Sequence, residues 1–193
     1  AVTHLAKKAL LEEGVGESEI TVIPMGINLN RFKPIKKDKK SKTVTILSIA
    51  RLVSEKGIDN LVSAFENLSK KYPIKLTLVG DGPLKYEYRH RSGIFFKSIP
   101  YSKIHTAYQQ ADIFCLASQH TKYWQEQYGM VLIEAMASGL PIVTTTSGAI
   151  PEVCEDVALY SPPKNRLGLQ SNLERLIVNP NLRDSMGKKS RQL

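Results

Sequence analysis

Short runs of apolar, β-branched residues alternate along this chain with longer segments in which apolar residues recur at helical spacing. Residues 43–49 are predicted as a buried first strand, and residues 58–72 as an amphipathic helix that Pro73 ends. Residues 75–79 form the next predicted strand, and the Gly-Asp-Gly-Pro sequence at 80–83 is typical of a turn. The pattern is that of a strand and helix followed by a second strand.

The same alternation continues towards the end of the chain. It predicts strands at 94–97, 113–117, 141–145 and 158–160, and helices at 85–91, 102–109, 129–138 and 165–178. Strands that alternate with helices indicate an α/β protein, because parallel strands need crossover connections. We predict a doubly wound, Rossmann-like parallel sheet.

The domain organisation is predicted from the same pattern. Residues 43–180 are predicted as one sheet domain, which suits a chain of 193 residues better than two full domains do. Residues 1–42 hold a helix at 3–13 but no strand–helix unit, and we interpret them as an interdomain segment and linker. Residues 181–193 are predicted as the start of a C-terminal helix. We therefore expect an excerpt of a longer protein.

The net charge of +9 is concentrated in one segment of the chain. Residues 33–42 contribute +5 through six lysines and one aspartate, next to Pro34 and without aromatic residues. This composition is typical of a solvated linker, whereas nucleic-acid binding needs arginines and aromatic residues interleaved on one face. We expect no nucleic-acid partner. The lysine-rich segment and the basic tail at 183–191 leave open a peripheral contact with an anionic membrane.

The cysteines and histidines bear on location and on metal binding. Cys115 and Cys154 lie among apolar residues, which favours buried free thiols in a reducing cytoplasm. The four histidines lack the spacing of metal ligands, so we expect no metal. Because no apolar run approaches the roughly 20 residues of a spanning helix, the chain is predicted to be cytoplasmic or peripheral at the inner face of the membrane.

Glu134 is the one charged residue in an apolar helical segment. Residues 130–137 are otherwise apolar, so the helix is expected to be buried on nearly all sides. A buried carboxylate is costly without partners. Two interpretations of Glu134 remain open, namely an ion pair with a nearby arginine and hydrogen bonds from ligand hydroxyls at the carboxyl edge of the sheet.

Two neighbouring segments have the features of an anion site. Gly129 lies at the predicted helix N-terminus, where unpaired N–H groups attract phosphate, and Glu126 lies in the loop before it. Arg51 and Lys56 lie in the loop after the first strand, on the edge where doubly wound sheets bind ligands, and are cations suited to a diphosphate. The alternative is a solvated loop with an ion pair to Glu55.

Several motifs resemble those of the family-4 retaining glycosyltransferases, the glycosyl transferases group 1. They are Ala-Arg-Leu-Val-Ser-Glu-Lys-Gly at 50–57, Gly-Asp-Gly-Pro at 80–83, and the stretch 126–141 with its Glu-x7-Glu pattern. The segments 23–34 and 148–152 are similar to the family's interdomain passage and to the sequence that usually follows the Glu-x7-Glu pattern. The motifs occur in the family's order over nearly the whole chain.

The resemblance implies one half of a two-domain GT-B enzyme, in which this C-terminal half holds a UDP- or GDP-sugar donor. It assigns Arg51 and Lys56 to neutralising the donor diphosphate, Glu126 to the sugar hydroxyls and Glu134 to the ribose. No cofactor and no metal are expected, because the two cations stabilise the leaving group. Further donor contacts are expected from the backbone N–H groups of Gly129, Met130 and Val131, from Gly80 and Gly82 in a loop lining the cleft, and from Ile104 beside the base.

The same resemblance places the acceptor site and a catalytic histidine in an N-terminal domain outside this sequence. We expect the chain to belong to an enzyme that transfers a hexose to a sugar or lipid-linked acceptor, and to be inactive alone. Two alternatives stay open. A non-catalytic nucleotide-sugar-binding module would not need the full set of acidic and basic site residues, and a GT-B sugar-nucleotide epimerase would convert a free sugar nucleotide without an acceptor.

Overall fold

The computed structural model describes residues 1–35 and 42–193 of the chain. Its centre is a single sheet of six parallel strands. The strands are β1 (Val44–Ile49), β2 (Ile74–Val79), β3 (Ile94–Lys97), β4 (Ile113–Leu116), β5 (Ile142–Thr145) and β6 (Ala158–Ser161). Their order across the sheet is β3-β2-β1-β4-β5-β6, which confirms the predicted doubly wound, Rossmann-like class.

Eight α-helices accompany the sheet in the described residues. They are α1 (His4–Glu12), α2 (Ile58–Ser69), α3 (Leu84–Tyr88), α4 (His105–Gln110), α5 (Met130–Ala137), α6 (Ile150–Cys154), α7 (Arg166–Val178) and α8 (Pro180–Gln192). Helix α4 begins later than predicted because Tyr101–Lys103 form a separate 3-10 turn. Helix α6 was not predicted, since its five residues are too few to display a helical period.

The strands β1, β4 and β5 are buried on both faces, and the side chains of the sheet alternate between two cores. Ile46 and Leu47 are successive residues of β1 and both are fully buried, yet they belong to different clusters. Helices α2 and α7 cover the Ile46 side with residues such as Phe65 and Leu173. Helices α4, α5 and α6 cover the other side, where Tyr108 is fully buried. Burial on both faces is typical of a parallel sheet.

The segment before the lysine-rich linker packs on the sheet domain through polar contacts. The carboxylate of Glu152, in α6, accepts hydrogen bonds from the backbone N–H groups of His4 at 2.6 Å and Leu5 at 3.2 Å, at the start of α1. The Tyr128 hydroxyl accepts a hydrogen bond from the N–H of Met25 at 2.9 Å and donates one to its carbonyl at 3.1 Å. The Glu152 carboxylate therefore stabilises the exposed N–H groups at the N-terminus of α1.

The predicted linker and the last helix complete the architecture. Most of the lysine-rich stretch falls on residues 36–41, which lie outside the described residues. Helix α8 packs against the main domain, and the guanidinium of Arg191 donates a hydrogen bond to the carbonyl of Phe32 at 2.6 Å. Across the two described ranges of the chain, no helix combines the length and the apolar character needed to cross a membrane.

Candidate functional site

The strand order changes direction between β1 and β4, which makes the carboxyl ends of these two strands the switch point of the sheet. Doubly wound sheets bind their ligands at this switch point, outside the carboxyl ends of the strands. The loops that follow the central strands surround it. They comprise residues 50–57 after β1, 80–83 after β2, 117–129 after β4 and 146–149 after β5.

The loop after β1 is pressed against the end of β4. Residues Ser54–Lys56 form a 3-10 turn, and Gly57 follows in the left-handed conformation with φ of 66° before α2 begins. A Cβ atom on Gly57 would lie 1.9 Å from the carbonyl oxygen of Ala117. Only glycine fits such a close approach, so Gly57 fixes where Lys56 lies relative to the loop after β4.

The two glycines predicted to line the cleft lie on the other side of the same loop. A Cβ atom on Gly80 would lie 2.0 Å from the carbonyl oxygen of Ala50, and one on Gly82 would lie 2.5 Å from that of Leu52. Both glycines therefore contact the backbone of the β1 loop. Their clearest role in the structure is to hold that loop in place.

Lys56, in the loop after β1, and Glu126, in the loop after β4, form an ion pair at the switch point of the sheet. The Lys56 Nζ atom lies 2.7 Å from Glu126 Oε2, and the two side chains are only 15% and 9% exposed. The Ser118 hydroxyl donates a hydrogen bond of 2.7 Å to the same Oε2 atom. Two short hydrogen bonds therefore converge on one carboxylate oxygen, which is a strong arrangement in a part-buried site.

Two neighbouring side chains support this ion pair. The ring of Trp124 lies under the ammonium of Lys56, 4.5 Å from Nζ to the ring centroid, at a distance suited to a cation–π contact. The Thr145 hydroxyl, at the end of β5, donates a hydrogen bond to the carbonyl of Ser118. Lys56 and Ser118 thus each have a second partner besides Glu126.

The main chain of Glu126 is held by the loop after β5. Its carbonyl accepts a hydrogen bond of 2.9 Å from the N–H of Ala149. A Cβ atom on Gly148 would lie 2.0 Å from the same carbonyl oxygen. Glu126 is therefore positioned from both sides, by its side-chain partners and by a loop that approaches its backbone.

Arg51 does not join this cluster. Its guanidinium makes an ion pair of 3.2 Å with Glu55, four residues along the loop, and its side chain is 64% exposed. This is the alternative that the sequence left open for the β1 loop. The structure therefore separates the two predicted cations, with Lys56 buried against Glu126 and Arg51 at the surface.

Glu134 is buried inside α5, and its partner is a tyrosine rather than an arginine. The Tyr108 hydroxyl donates a hydrogen bond of 2.5 Å to Glu134 Oε2. Burial, and then the charge of Glu134, raise the pKa of Tyr108 well above its usual value, so this donor stays protonated. The interpretation of Glu134 as an ion pair with a nearby arginine is wrong for the described residues.

The start of α5 lies between these two carboxylates. Gly129 precedes the helix with φ of 76°, and Leu132 is the first residue of the turn whose N–H is bonded, to the Gly129 carbonyl at 2.7 Å. In the described part of the chain, the backbone N–H groups of Met130 and Val131 have no acceptor. They are the unpaired donors that a helix N-terminus offers to an anion.

Ile104 is a core residue rather than a cleft residue. Its side chain is buried in the same cluster as Tyr108, so its side chain presents little surface to a base. The neighbouring Tyr101 is exposed, and the guanidinium of Arg31 stacks over its ring at 4.5 Å. Partial burial, and then the nearby Glu134 carboxylate, raise the pKa of the Tyr101 hydroxyl.

Sequence reasoning found the acidic and basic residues but missed their neutral partners. Ser118 follows the fourth strand at the start of a polar loop, and Tyr108 lies among polar residues of a short helix, so no motif marks either residue as a partner of a carboxylate. Trp124 is the only tryptophan and lies two residues before Glu126, but its position alone predicts no contact with Lys56. Gly57 ends the motif at 50–57 and could have been found from it.

The described residues contain no group of side chains suited to hold a metal ion. No cluster of three or more histidine, cysteine, aspartate or glutamate side chains occurs within 1–35 and 42–193. The cysteines are both buried free thiols, and burial raises the pKa of each. The chemical groups around the switch point and the start of α5 are therefore a cation, two carboxylates, hydroxyls and unpaired backbone N–H groups.

Comparison with known proteins assigns this α/β domain to a family. The family described as Glycosyl transferases group 1 matches residues 30–193. An uncharacterized glycosyltransferase of Haemophilus influenzae is 32% identical over 196 aligned residues, which cover 96% of this chain and 53% of that protein. The chain belongs to the glycosyl transferases group 1. It spans between 38% and 53% of the length of three curated relatives.

Solved structures share the fold over the whole chain. A glycosyltransferase from Rickettsia africae aligns with a TM-score of 0.83 at 23% identity, over 100% of this chain and 56% of that one. Anabaena Alr3699/HepE in complex with UDP and glucose aligns with a TM-score of 0.82 at 18% identity, again over 100% and 56%. At these identities the likeness establishes the fold alone.

Proposed function

We propose that this chain is the donor-binding half of a retaining glycosyltransferase that transfers a hexose from a nucleotide sugar. The observation that carries the proposal is the cluster of Lys56, Glu126 and Ser118 at the switch point of the sheet. A buried cation beside a carboxylate and free helix N–H groups suits a ligand that has both a diphosphate and a sugar. Membership of the glycosyl transferases group 1 supports the same class of reaction.

In this proposal each part of the donor has its own protein contact. The diphosphate lies at the start of α5, where Lys56 and the N–H groups of Met130 and Val131 neutralise its charge. Arg51 joins them by leaving its exposed ion pair with Glu55. Glu126 accepts hydrogen bonds from the sugar hydroxyls. Glu134, already bonded to Tyr108 through Oε2, accepts hydrogen bonds from the ribose through its remaining acceptor capacity.

These contacts lower the barrier by stabilising the leaving nucleoside diphosphate. Negative charge grows on the diphosphate as the bond to the sugar breaks, and fixed cations and N–H groups stabilise that charge without a metal. The retaining outcome is proposed from the Glu-x7-Glu pattern formed by Glu126 and Glu134. The acceptor, a sugar or a lipid-linked sugar, would be bound by an N-terminal domain of the same protein.

The donor class and the location follow from the same proposal. A UDP- or GDP-sugar is proposed, and the Anabaena protein of the same fold has been solved with UDP and glucose. We place the enzyme in the cytoplasm or at the inner face of its membrane, where basic segments such as the tail at 183–191 could contact anionic lipid. By itself the chain is proposed to bind the donor and to transfer no sugar.

The test is calorimetric titration of the chain with UDP, GDP and ADP. We expect one nucleotide to bind, and both Arg51→Ala and Glu134→Ala to weaken it. Arg91→Ala is the matched control, because Arg91 also makes an exposed ion pair, of 3.3 Å with Glu66, but lies at the amino end of β3. Equal weakening by the control, or the absence of binding in the full-length protein as well, would contradict the proposal. Conversion of a sugar nucleotide without an acceptor would favour an epimerase instead.

A further inference from the structure

Lys56 and Glu126 are assigned to different parts of the donor, yet in the structure they bind each other. Lys56 is the proposed partner of the diphosphate and Glu126 that of the sugar hydroxyls. Their side chains are joined at 2.7 Å and are largely buried. The Lys56 ammonium carries one positive charge, so a phosphate that binds it competes with Glu126 for that charge.

The two oxygens of the Glu126 carboxylate have different surroundings. Oε2 accepts the hydrogen bonds from Lys56 and Ser118. Oε1 accepts none from the described residues, and it is not among their buried polar atoms that lack a partner, so it retains contact with solvent. A ligand hydroxyl can therefore reach Oε1, and a second hydroxyl can replace Lys56 on Oε2.

This arrangement treats two ligands differently. A sugar-free nucleoside diphosphate attracts Lys56 but leaves Glu126 with only Ser118, as a part-buried carboxylate deprived of its counter-charge, which is unfavourable. A nucleotide sugar attracts Lys56 through its phosphates and supplies hydroxyl donors to Glu126 at the same time. Lysine suits such an exchange, because its ammonium sits on a flexible four-carbon stem.

We propose that the Lys56–Glu126 ion pair makes the site discriminate against the sugar-free nucleoside diphosphate in favour of the nucleotide sugar. The pair re-forms when the sugar has left, and it then competes with the remaining diphosphate for Lys56. Glu126 is thus a specificity-determining residue that weakens the binding of the reaction's own product. This inference rests on the proposed function, since it requires a nucleotide sugar as the donor.

The ion pair can be tested by a double-mutant cycle in the 193-residue chain, with UDP, GDP and ADP as probes in calorimetric titrations. The variants are Glu126→Gln, Lys56→Met and the double variant. In Glu126→Gln the neutral amide holds Lys56 less tightly. We expect the free nucleotide to bind about tenfold more tightly than it binds the wild type, since a charge-assisted hydrogen bond is lost from the competing pair.

The Lys56→Met background separates this effect from general electrostatics. If Glu126 weakens nucleotide binding only by holding Lys56, Glu126→Gln should change the affinity little once Lys56 is gone. Glu66→Gln is the charge-matched control, because Glu66 pairs with Arg91, which is not assigned to the donor. We expect it to change free-nucleotide affinity far less than Glu126→Gln does.

Ser118→Ala gives a second test with the opposite sign. It removes one donor from Oε2, so Glu126 holds Lys56 more tightly, and the free nucleotide should bind about threefold less tightly. It also removes only one hydroxyl, which keeps the inference testable should Glu126→Gln fold poorly. Thermal unfolding of each variant establishes that it is folded before it is titrated.

The outcomes separate this inference from the proposed function. If the wild type and every variant fail to bind UDP, GDP and ADP, in the full-length protein as well as in the 193-residue chain, the proposed function fails and the inference falls with it. If the wild type binds a nucleotide and Glu126→Gln binds it no more tightly, or gains equally in the Lys56→Met background, the inference alone is overturned. A nucleotide that binds Glu126→Gln but not the wild type supports both.

Discussion

Glu126 and Glu134 are carboxylates eight residues apart whose surroundings differ in kind. Glu126 lies in a loop at the strand ends, and its partners are the cation Lys56 and the hydroxyl of Ser118. Glu134 lies within α5, and its partner is the neutral hydroxyl of Tyr108. In the Glu126 region the negative charge is therefore neutralised by a cation of the same chain. In the Glu134 region the buried carboxylate has a neutral hydrogen-bond donor instead.

The difference indicates how each region responds to a ligand. The Glu126 region has to exchange its cation, so a ligand there must offer both negative charge and hydroxyl donors. The Glu134 region has spare acceptor capacity, so hydroxyl donors can be added without displacing Tyr108. Substitutions that affect one region and leave the other intact can test this contrast.

Gly57→Ala, in the Glu126 region, is expected to lower the free energy of unfolding most. A Cβ atom there would lie 1.9 Å from the Ala117 carbonyl, and the residue has φ of 66°. We expect the free energy of unfolding to fall by about 3 kcal/mol, from overpacking together with the left-handed backbone. Gly14→Ala is the matched control, since Gly14 also has a positive φ but no atom within 4 Å. Denaturant unfolding measures the stability of both variants. Equal losses of unfolding free energy would show that backbone strain alone, and not the contact with Ala117, destabilises Gly57→Ala.

Lys56→Met is expected to cause the second largest loss of stability, because it leaves Glu126 without its cation and with Ser118 alone. We expect a loss of about 2 kcal/mol in unfolding free energy, since breaking a buried pair strands a charge. Arg51→Met removes the exposed partner of Glu55 and should cost at most about 0.5 kcal/mol. Both variants are compared by chemical denaturation at one pH. A loss from Arg51→Met as large as that from Lys56→Met would contradict the assignment of the buried pair.

Tyr108→Phe tests the Glu134 region alone. It removes the hydrogen bond of 2.5 Å to a buried carboxylate, and we expect a loss of about 1.5 kcal/mol in unfolding free energy. The effect of Glu126→Gln on free-nucleotide affinity should be the same with and without this change, since the two carboxylates have separate partners. A strong dependence of one effect on the other would mean that the two regions act as one unit.

The smallest effect concerns alkaline pH. Burial and the Glu134 charge raise the pKa of Tyr108 in the folded chain, so the stability that this tyrosine confers is fully present below its unfolded pKa of about 10 and is lost as pH rises further. The difference in unfolding free energy between wild type and Tyr108→Phe should therefore be constant near neutral pH and shrink in alkaline solution. A difference that grows with pH would have the wrong sign.

Much of the fold was predictable from the sequence, and the failures have local causes. The six strands were found because each is a short apolar run followed by a turn or a helix. Helix α6 was missed because its five residues show no period. The start of α4 was predicted too early, because the residues of the 3-10 turn at Tyr101–Lys103 are of types that also occur in helices.

The candidate site was predictable only in part. Glu134 was singled out because a charge within an apolar helix needs a partner. Glu126 was singled out because it lies in the loop before that helix and forms the Glu-x7-Glu pattern with Glu134, and Lys56 because it lies in the loop after the first strand. The identity of the partners was not predictable. Glu134 has Tyr108 as its partner and not the arginine that was considered. Arg51, predicted to act together with Lys56, pairs with Glu55 at the surface.

The sequence by itself determined the alternation of strands and helices, and hence a parallel sheet with its loops at one edge, because periodicity and turn residues act over a few neighbouring positions. Only the tertiary structure decided which side chains meet there. Lys56 and Glu126 are 70 residues apart in the chain, and they meet because β4 lies beside β1 and Gly57 lets the two loops touch. Such a contact depends on strand order and on the closeness of two backbones, neither of which a local pattern encodes.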